Sequence, residues 1–285
     1  TVSEGFRIGG ANGVAACPSN INDDQQIVCA LPEEQLYSPD KTTNYELGLK
    51  STWLNNRVTF NTAIFNVDWK DAQVAGATVN GQQPILSNAA TANAKGIEMM
   101  ARWAVNNELA VYGSFAHTKA KLTSDAPYLF KVIDAPGATL SSEQAFYQGA
   151  DGDRLPGSPE NTFSFGAKYS TEIFDDKLLD ISYGLTYQSD IISKVGIKAD
   201  GESLPGYSLS NFSARVSKDN WAVTFYVDNL FDKYAFTSVR RDKGDIGLAH
   251  FAQFNSNDPA IQRNYGHYLL TPRTIGLKFE YAFDL

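Results

Sequence analysis

The sequence lacks both a long apolar run and an excess of positive charge. None of its segments approaches the roughly 18 consecutive apolar residues that a membrane-spanning helix needs. The net charge of −8 argues against nucleic-acid binding, because that function usually requires a clustered basic surface. The mean hydropathy is negative, at −0.28. This value does not exclude a transmembrane β-barrel, whose strands present an apolar residue to lipid only at every second position.

The sequence also lacks the motifs of known catalytic and metal sites. It has neither a G-x-S-x-G nucleophile motif nor a cysteine paired with a histidine by a known signature. The glycine-rich segment 5–13 lacks the Lys-Ser/Thr pair of a phosphate-binding loop. The three histidines, His117, His250 and His267, have no H-x-x-x-H spacing, so isolated surface histidines are the better interpretation. We therefore predict no enzyme, no metal site and no cofactor.

Cysteine is scarce. Cys17 and Cys29 both lie in a polar segment rich in Gly, Asn and Asp. In an oxidising compartment they would form a disulfide that closes a small loop and stabilises the fold by roughly 3 kcal/mol in the loop-entropy model. The alternative is two unrelated free thiols, which are rare in exported proteins.

What the sequence does have is an alternation of apolar and polar residues with a period of two. In the last segment, Ile275, Leu277, Phe279, Tyr281 and Phe283 point one way, and the residues between them point the other. The same pattern recurs in segments 44–53, 161–169, 179–188 and 221–231. These runs are about as long as a tilted transmembrane strand requires, around ten residues. The pattern predicts strands of an antiparallel transmembrane barrel.

Two further segments are less regular but are counted among the strands. In 57–74 the apolar parity switches between Ile64 and Phe65, which suggests a β-bulge. In 109–120 neither face is wholly apolar.

Long and short connections alternate between the predicted strands. The long ones are 9–42, 75–91, 124–160, 191–206 and 242–270, and the short ones are 54–56, 105–108, 172–177 and 217–220. This alternation is typical of outer-membrane barrels, whose periplasmic turns are short and whose extracellular loops are long. If the last strand ends in the periplasm, every short connection is periplasmic, and every long one, with the cysteine pair, lies outside.

The strand count indicates an incomplete barrel. We count nine strands and the outer end of a tenth at the start of the chain. Open edges would leave unpaired backbone groups facing lipid, each costing several kcal/mol, so further strands are needed to close the barrel. The chain opens with Thr-Val-Ser-Glu, without a methionine or a signal peptide. We therefore expect a fragment of a longer exported protein.

Six motifs follow one another along the chain at barrel-like spacing. They are Glu4-Gly-Phe-Arg-Ile-Gly-Gly10, Tyr37-Ser-Pro-Asp-Lys-Thr-Thr-Asn-Tyr-Glu-Leu-Gly-Leu-Lys50, Lys95-Gly-Ile-Glu98, Arg154-Leu-Pro-Gly-Ser-Pro-Glu-Asn161, Val227-Asp-Asn-Leu-Phe-Asp-Lys-Tyr234 and Thr271-Pro-Arg-Thr-Ile-Gly-Leu-Lys-Phe-Glu-Tyr-Ala-Phe283. In this order they resemble the motifs of TonB-dependent outer-membrane receptors, the fifth being similar to the penultimate-strand signature and the sixth to the closing strand. The sequence departs from the family at its end, which is Phe283-Asp284-Leu285 in place of a terminal Phe.

The resemblance implies a 22-stranded barrel with an N-terminal plug domain, in the bacterial outer membrane. Residues 1–285 would then be the C-terminal part of the barrel, with the plug and the earlier strands missing. Such receptors import a scarce nutrient, commonly a ferric siderophore, with energy from the TonB complex, which pulls on a segment of the plug. The implied partners are outer-membrane lipid, the protein's own plug, the TonB complex and a small nutrient ligand, and the iron travels inside the siderophore.

Ligand recognition in such a receptor should fall to aromatic and basic residues at the barrel mouth. Aromatic rings supply rigid stacking area, and arginine supplies a planar fork for carboxylates or catecholates. By topology the candidates are Phe6, Arg7, Tyr128, Phe146, Tyr147, Arg240, Arg241, Tyr265 and His267. Taken singly, each is better explained as an ordinary loop residue or an interface-belt aromatic, and the set as a whole marks the place to look for ligand contacts.

A second polar set is predicted on the strands themselves. Their neighbours on the same strands are expected to face lipid, so these residues must face water or the plug. They are Glu98, Arg102, Lys168, Lys278 and Glu280. Contact with the plug is the preferred interpretation.

Several functions remain open. A TonB-dependent receptor could instead import a vitamin, haem or an oligosaccharide. A barrel without a plug could instead be a passive porin or an adhesive protein, and a soluble β-sandwich lectin would not explain the alternating connections.

Overall fold

The computed structural model describes residues 1–18, 29–77, 84–131, 146–197, 201–242 and 264–283. The strands in these ranges, numbered along the chain, are β1 Val2–Arg7, β2 Gly10–Ala11, β3 Leu36–Tyr37, β4 Asp40–Trp53, β5 Val58–Ala77, β6 Pro84–Ala104, β7 Leu109–Leu122, β8 Ala126–Lys131, β9 Phe146–Gly149, β10 Asn161–Ile173, β11 Lys177–Gln188, β12 Ile191–Ile192, β13 Ser203–Leu204, β14 Tyr207–Lys218, β15 Trp221–Asp228, β16 Phe236–Asp242, β17 Asn264–Leu269 and β18 Thr274–Tyr281. The helical turns there are Pro32–Glu34, Phe174–Asp176 and Val195–Ile197. Within the described ranges, no helix has the length and apolarity needed to cross a membrane.

Ten strands form one antiparallel sheet in the order β1-β4-β5-β6-β7-β10-β11-β14-β15-β18. The other eight strands form four pairs, β2–β3, β8–β9, β12–β13 and β16–β17, each inserted between consecutive strands of the sheet. The predicted all-β antiparallel architecture is confirmed, with nine strands preceded by the short β1.

The short connections all lie at one end of the sheet, as predicted. They are residues 54–57, 105–108, 174–176 and 219–220. The four inserted strand pairs all belong to connections at the opposite end. We call this opposite end the long-connection rim.

The register gives the sheet one apolar and one polar face. A row of directly paired residues on the apolar face is Leu277, Phe225, Ala214, Ile181, Tyr169 and Leu109. The neighbouring row on the polar face is Lys278, Thr224, Arg215, Asp180 and Ser170. All five strand residues predicted to face away from lipid have the parity of this polar face.

Charged side chains pair with one another on the polar face. Asp180 accepts a hydrogen bond from Ser170 Oγ at 2.5 Å and lies 3.6 Å from Lys168 Nζ. Arg215 Nη1 approaches the same carboxylate to 3.8 Å. Such a network requires a polar surrounding, which agrees with this face pointing away from lipid.

Three aromatic residues break the apolar parity because each covers a glycine on the polar face. Phe65 is paired with Gly96, Tyr112 with Gly166 and Tyr226 with Gly276. A Cβ at Gly166 would lie 2.2 Å from the Tyr112 ring, and one at Gly276 would lie 2.4 Å from the Tyr226 ring. The prediction of a bulge between Ile64 and Phe65 is therefore wrong, since β5 pairs in continuous register with β4 along this stretch.

The irregularity of β5 lies higher, where the register with β6 shifts between Trp69 and Ala72 and Asp71 adopts a positive φ of 54°. Beyond it the two strands stay paired from Ala72 to Ala77. The predicted long connection 75–91 is therefore wrong over most of its length. A period of two marks a strand with one apolar and one polar face, and this upper part of the hairpin has no such alternation.

The end of β15 is also earlier than the predicted 221–231. Asn229 has a φ of 51°, a left-handed conformation that asparagine tolerates, and it stops the strand at Asp228. The Asn229 side chain accepts from Lys233 N at 2.7 Å and donates to Lys233 O at 2.9 Å and to Thr271 O at 3.0 Å. It thereby joins the start of the last long connection to its end.

Candidate functional site at the long-connection rim

A buried carboxylate, Asp40, joins three strands at the long-connection rim. It is 2% exposed and lies at the first position of β4, opposite Arg7 of β1. Arg7 Nε donates to its two oxygens at 3.1 and 2.9 Å, and Arg7 Nη2 makes a further short contact. Trp69 Nε1 at 2.9 Å and Gln73 N at 3.1 Å donate from β5. The charge is therefore paired and its oxygens have several donors, as a buried carboxylate requires.

These donors stabilise the ionised carboxylate. The hydrogen bonds from Arg7, and after them those from Gln73 and Trp69, lower the pKa of Asp40 to about 2, against the opposing effect of burial. The carboxylate in turn raises the pKa of Arg7. The pair stays ionised throughout the physiological range.

Arg7, a predicted ligand-binding residue, is held in a fixed orientation by these contacts. Its Nη2 also donates to Gln73 O at 3.0 Å, and its guanidinium carbon lies 5.1 Å from the centre of the Trp69 ring. The side chain remains 53% exposed. The structure therefore presents an oriented cation on the polar face, and its contact with a ligand stays a prediction.

Phe6, the neighbouring candidate, lies on the other face. It is paired with Lys41 of β4, in line with Val2 and Tyr45 along the apolar face. Its side chain is 73% exposed.

Amide side chains fasten the β2–β3 segment to the upper β5–β6 hairpin. Gln73 Nε2 donates to Ile8 O and Ser38 O, both at 3.0 Å. Asn88 accepts from Ser38 N at 2.6 Å and donates to Ser38 O at 2.9 Å. Asn12 makes the same paired contact with Leu86, at 2.9 and 2.8 Å. Each of the Asn side chains accepts from a backbone N–H and donates to the C=O of the same residue, as a neighbouring strand would. These hydrogen bonds hold the β2–β3 segment against the hairpin.

The disulfide predicted in this segment is confirmed. Cys17 is bonded to Cys29, with 4.8 Å between the Cα atoms, and Cys29 is almost fully buried. Cys17 N donates to Ala30 O at 2.9 Å beside the bond. The alternative of two free thiols is excluded.

The β8–β9 pair carries Tyr128, Phe146 and Tyr147. Phe130 is paired with Tyr147, and Lys131 with Phe146. Its first residue, Ala126, belongs to a small apolar core with Ala92, Leu122 and Val195, against which Trp69 and Leu155 pack. This core joins the base of the pair to the ring that lies beside Arg7.

The β16–β17 pair carries the other four candidates. Arg240 is paired with Gly266, Arg241 with Tyr265 and Val239 with His267. His267 Nε2 lies 3.2 Å from both carboxylate oxygens of Glu202, next to β13, and the imidazole stacks on Phe236 at 4.3 Å between ring centres. The predicted set is thus distributed over the two inserted pairs and β1.

Asp40, Gln73 and Glu202 were missed by sequence reasoning. Asp40 follows Pro39 and precedes a run of polar residues, so it is indistinguishable from a loop residue until β1 and β5 are placed beside it.

The other histidines do not extend the site. His117 Nδ1 lies 2.8 Å from Asn161 Oδ1 on the neighbouring strand. His250 lies outside the described residues. In the described part of the chain, no group of three or more His, Cys, Asp or Glu side chains could hold a metal ion.

The comparisons with known proteins agree on one architecture. A family model described as "TonB dependent receptor-like, beta-barrel" matches residues 1–230. The ferric yersiniabactin uptake receptor FyuA from Yersinia pestis superposes with a TM-score of 0.67 at 18% identity, over 99% of this chain and 34% of that one. The siderophore receptor PiuA from Acinetobacter baumannii gives 0.58 at 17%, over 88% and 30%. The copper transporter OprC gives 0.59 at 14%, over 99% and 36%. The chain thus spans about a third of the length of these structures.

Proposed function

Since the chain belongs to the family of TonB-dependent receptor-like β-barrels, we propose that it is the C-terminal part of an importer that takes up a ferric siderophore with energy from the TonB complex. In this proposal a plug domain and the earlier strands belong to the rest of the protein. The nutrient, the plug and the TonB complex would be its partners.

Family membership gives the chain its location and fold class. It is an outer-membrane protein, and its sheet is ten strands of a transmembrane antiparallel β-barrel. The apolar face then faces lipid and the polar face the lumen. The family is one of receptors, which agrees with the prediction that the chain is not an enzyme.

The observation that carries the proposal is the position of the insertions. All four inserted strand pairs occur at the long-connection rim, and β8–β9 and β16–β17 bear seven of the nine predicted ligand-binding residues. Arginines and aromatic rings at a barrel mouth suit an anionic iron chelate that presents carboxylate or catecholate groups. The names of FyuA, a ferric yersiniabactin uptake receptor, and of PiuA, a siderophore receptor, favour the same ligand class.

A strain lacking the gene, complemented with the full-length receptor, tests this function. We expect the complemented strain to grow in iron-depleted medium on a defined siderophore, and to lose that growth when TonB is also deleted. Growth that does not depend on TonB would indicate a passive porin. Growth independent of every siderophore, together with no response of transcription to iron starvation, would contradict the iron proposal and favour a vitamin, haem or carbohydrate.

The binding residues are tested separately. Replacing Arg240, Arg241 and Tyr147 together by alanine should weaken uptake without lowering the amount of receptor in the outer membrane. Arg57→Ala, at the short-connection end, is the control. Unchanged uptake by the triple variant would exclude this choice of residues.

A further inference from the structure

The outer part of the lipid-facing side bears a compact group of lysines. Lys41 is paired directly with Lys70, and Lys95 directly with Lys119. Lys121 follows Lys119 on the same face of β7. We call Lys41, Lys70, Lys95, Lys119 and Lys121 the lysine patch. All five side chains are exposed.

The patch continues the apolar face rather than the polar one. Lys95 and Lys119 stand in one row with Asn66 and Tyr45. The next row inwards is Leu47, Ile64, Ile97 and His117, whose first three members belong to the apolar band. Two residues of strand separate these rows, a distance of about 7 Å. The lowest lysines therefore lie at the edge of the hydrocarbon, at the depth of lipid headgroups.

The charge is local. Strands β4 to β7 supply five lysines over an area of about 14 by 13 Å, estimated from strand spacing and rise. At the same end and on the same face, β10, β11 and β14 present Asn161, Phe163, Tyr187, Ser208 and Ser210, without a lysine or arginine. The whole chain has a net charge of −8. A general need for surface charge does not explain a cationic area confined to four adjacent strands.

The charges around the patch do not neutralise it. Asp68 lies within it and accepts hydrogen bonds from Asn66 at 3.2 Å and from Asn93 at 2.7 Å. Glu4 lies in the same row as Asp68. Arg154, opposite Lys121, binds Asp190 at 2.7 Å. Among the described residues, no lysine of the patch takes part in an ion pair. Asp71, an exposed residue, directly follows Lys70. Five cations with three nearby carboxylates, Asp68, Glu4 and Asp71, still leave an excess of positive charge facing the membrane.

We propose that the lysine patch binds the phosphorylated headgroup of an outer-leaflet lipid. The lysines would contact phosphate groups while the lipid's acyl chains cover the apolar band below them. Lysine suits this role because its ammonium group is a compact charge on a long apolar stem, which can lie along the band. The occupant is a lipid and not free phosphate, because the patch is continuous with a surface that only acyl chains cover.

The test measures lipid binding to the full-length receptor in neutral detergent by native mass spectrometry. Two probes share the same acyl chains: bisphosphorylated lipid A and its dephosphorylated form. We compare the parent with Lys95→Gln/Lys119→Gln, and with the charge-matched control Lys50→Gln/Lys233→Gln, which lies outside the patch. At roughly 1 kcal/mol per lysine near an anionic surface, or about fivefold each, the patch variant should bind phosphorylated lipid about 25-fold more weakly.

The control variants and the dephosphorylated lipid show whether a loss of binding comes from the charge of the lysine patch or from another cause. The control should bind like the parent, all proteins should bind the dephosphorylated lipid equally, and Lys95→Arg/Lys119→Arg should retain binding. Equal affinity of the parent and the patch variant for phosphorylated lipid would overturn the proposal. Displacement of the lipid by millimolar inorganic phosphate would overturn it as well, since the site would then recognise free phosphate.

Discussion

Asp40→Asn should weaken the junction of β1, β4 and β5 without unfolding the barrel. The variant keeps the size of the side chain but replaces a carboxylate, which accepts from Arg7, Trp69 and Gln73, with a neutral amide. The amide has one acceptor oxygen, so some of these donors lose their partner. The Arg7 hydrogen bonds contribute most to keeping the carboxyl ionised, so their loss carries the largest part of the cost, and the Trp69 and Gln73 donors carry smaller parts.

The pKa of Asp40 gives the size of the effect. Hydrogen bonds, first from Arg7 and then from Gln73 and Trp69, lower this pKa from 3.8 to about 2 against the opposing effect of burial. A lowered folded-state pKa means that the stabilisation is present in full above the unfolded-state value and is lost as the pH falls through the folded-state value. The difference corresponds to about 2 kcal/mol, or roughly 30-fold in the local opening equilibrium, lost between about pH 4 and pH 2.

Hydrogen exchange measures this opening directly. In the parent receptor, the amides of Arg7 and Gln73, which donate to Asp40, should lose protection over that pH window after correction for intrinsic exchange. Asp40→Asn should show the low protection already at neutral pH, with no further change in the window. Asp228→Asn, an exposed carboxyl on β15, should behave like the parent. A variant with the parent's protection and pH profile would refute the role of the charge.

Two further predictions concern the faces of the sheet. Leu277→Lys should lower the free energy of unfolding in lipid by about 2–4 kcal/mol if that position lies near the bilayer midplane, whereas Lys278→Gln should be nearly neutral; the opposite order would mean that the faces are reversed. Gly166→Ala should lower the free energy of unfolding by about 1–3 kcal/mol, because the new methyl group must displace the Tyr112 ring. Urea titration of the receptor in lipid vesicles measures both effects. Gly184→Ala is the control, since nothing lies within 4 Å of its Cβ position; equal effects would refute the packing argument.

The sequence predicts those parts of the fold where one face of each strand contacts lipid and the other face contacts water. Leu277 and Lys278 are assigned correctly because lipid selects one parity and water the other. The period-two alternation no longer predicts the strands correctly where the two faces do not differ in this way. Phe65 was misassigned because its partner Gly96 is revealed only by the register, and the continuation of β5 to Ala77 was missed because no bilayer imposes alternation there.

The rim is less predictable for a different reason. The cysteine pair was predictable, because two cysteines in an exported chain allow only one intramolecular pairing. Asp40 was not, because its partners are 29 to 33 residues away along the chain on both sides. A residue whose partners are distant in the sequence has no recognisable pattern in its neighbouring residues. Arg7 was therefore predicted from its residue type and position, but Asp40, the carboxylate that orients it, was not.

Asn229 connects the barrel to the part of the rim that carries most of the basic candidates. Its side chain bonds to Lys233 and Thr271, and Asp232 accepts from Arg273 N at 3.0 Å. These contacts close the connection at its base, before β16 begins. Once the base is closed, the entropic cost of a longer loop grows only slowly with its length. The penultimate-strand signature therefore fixes the register of the closing strand with little dependence on the length of the connection between them.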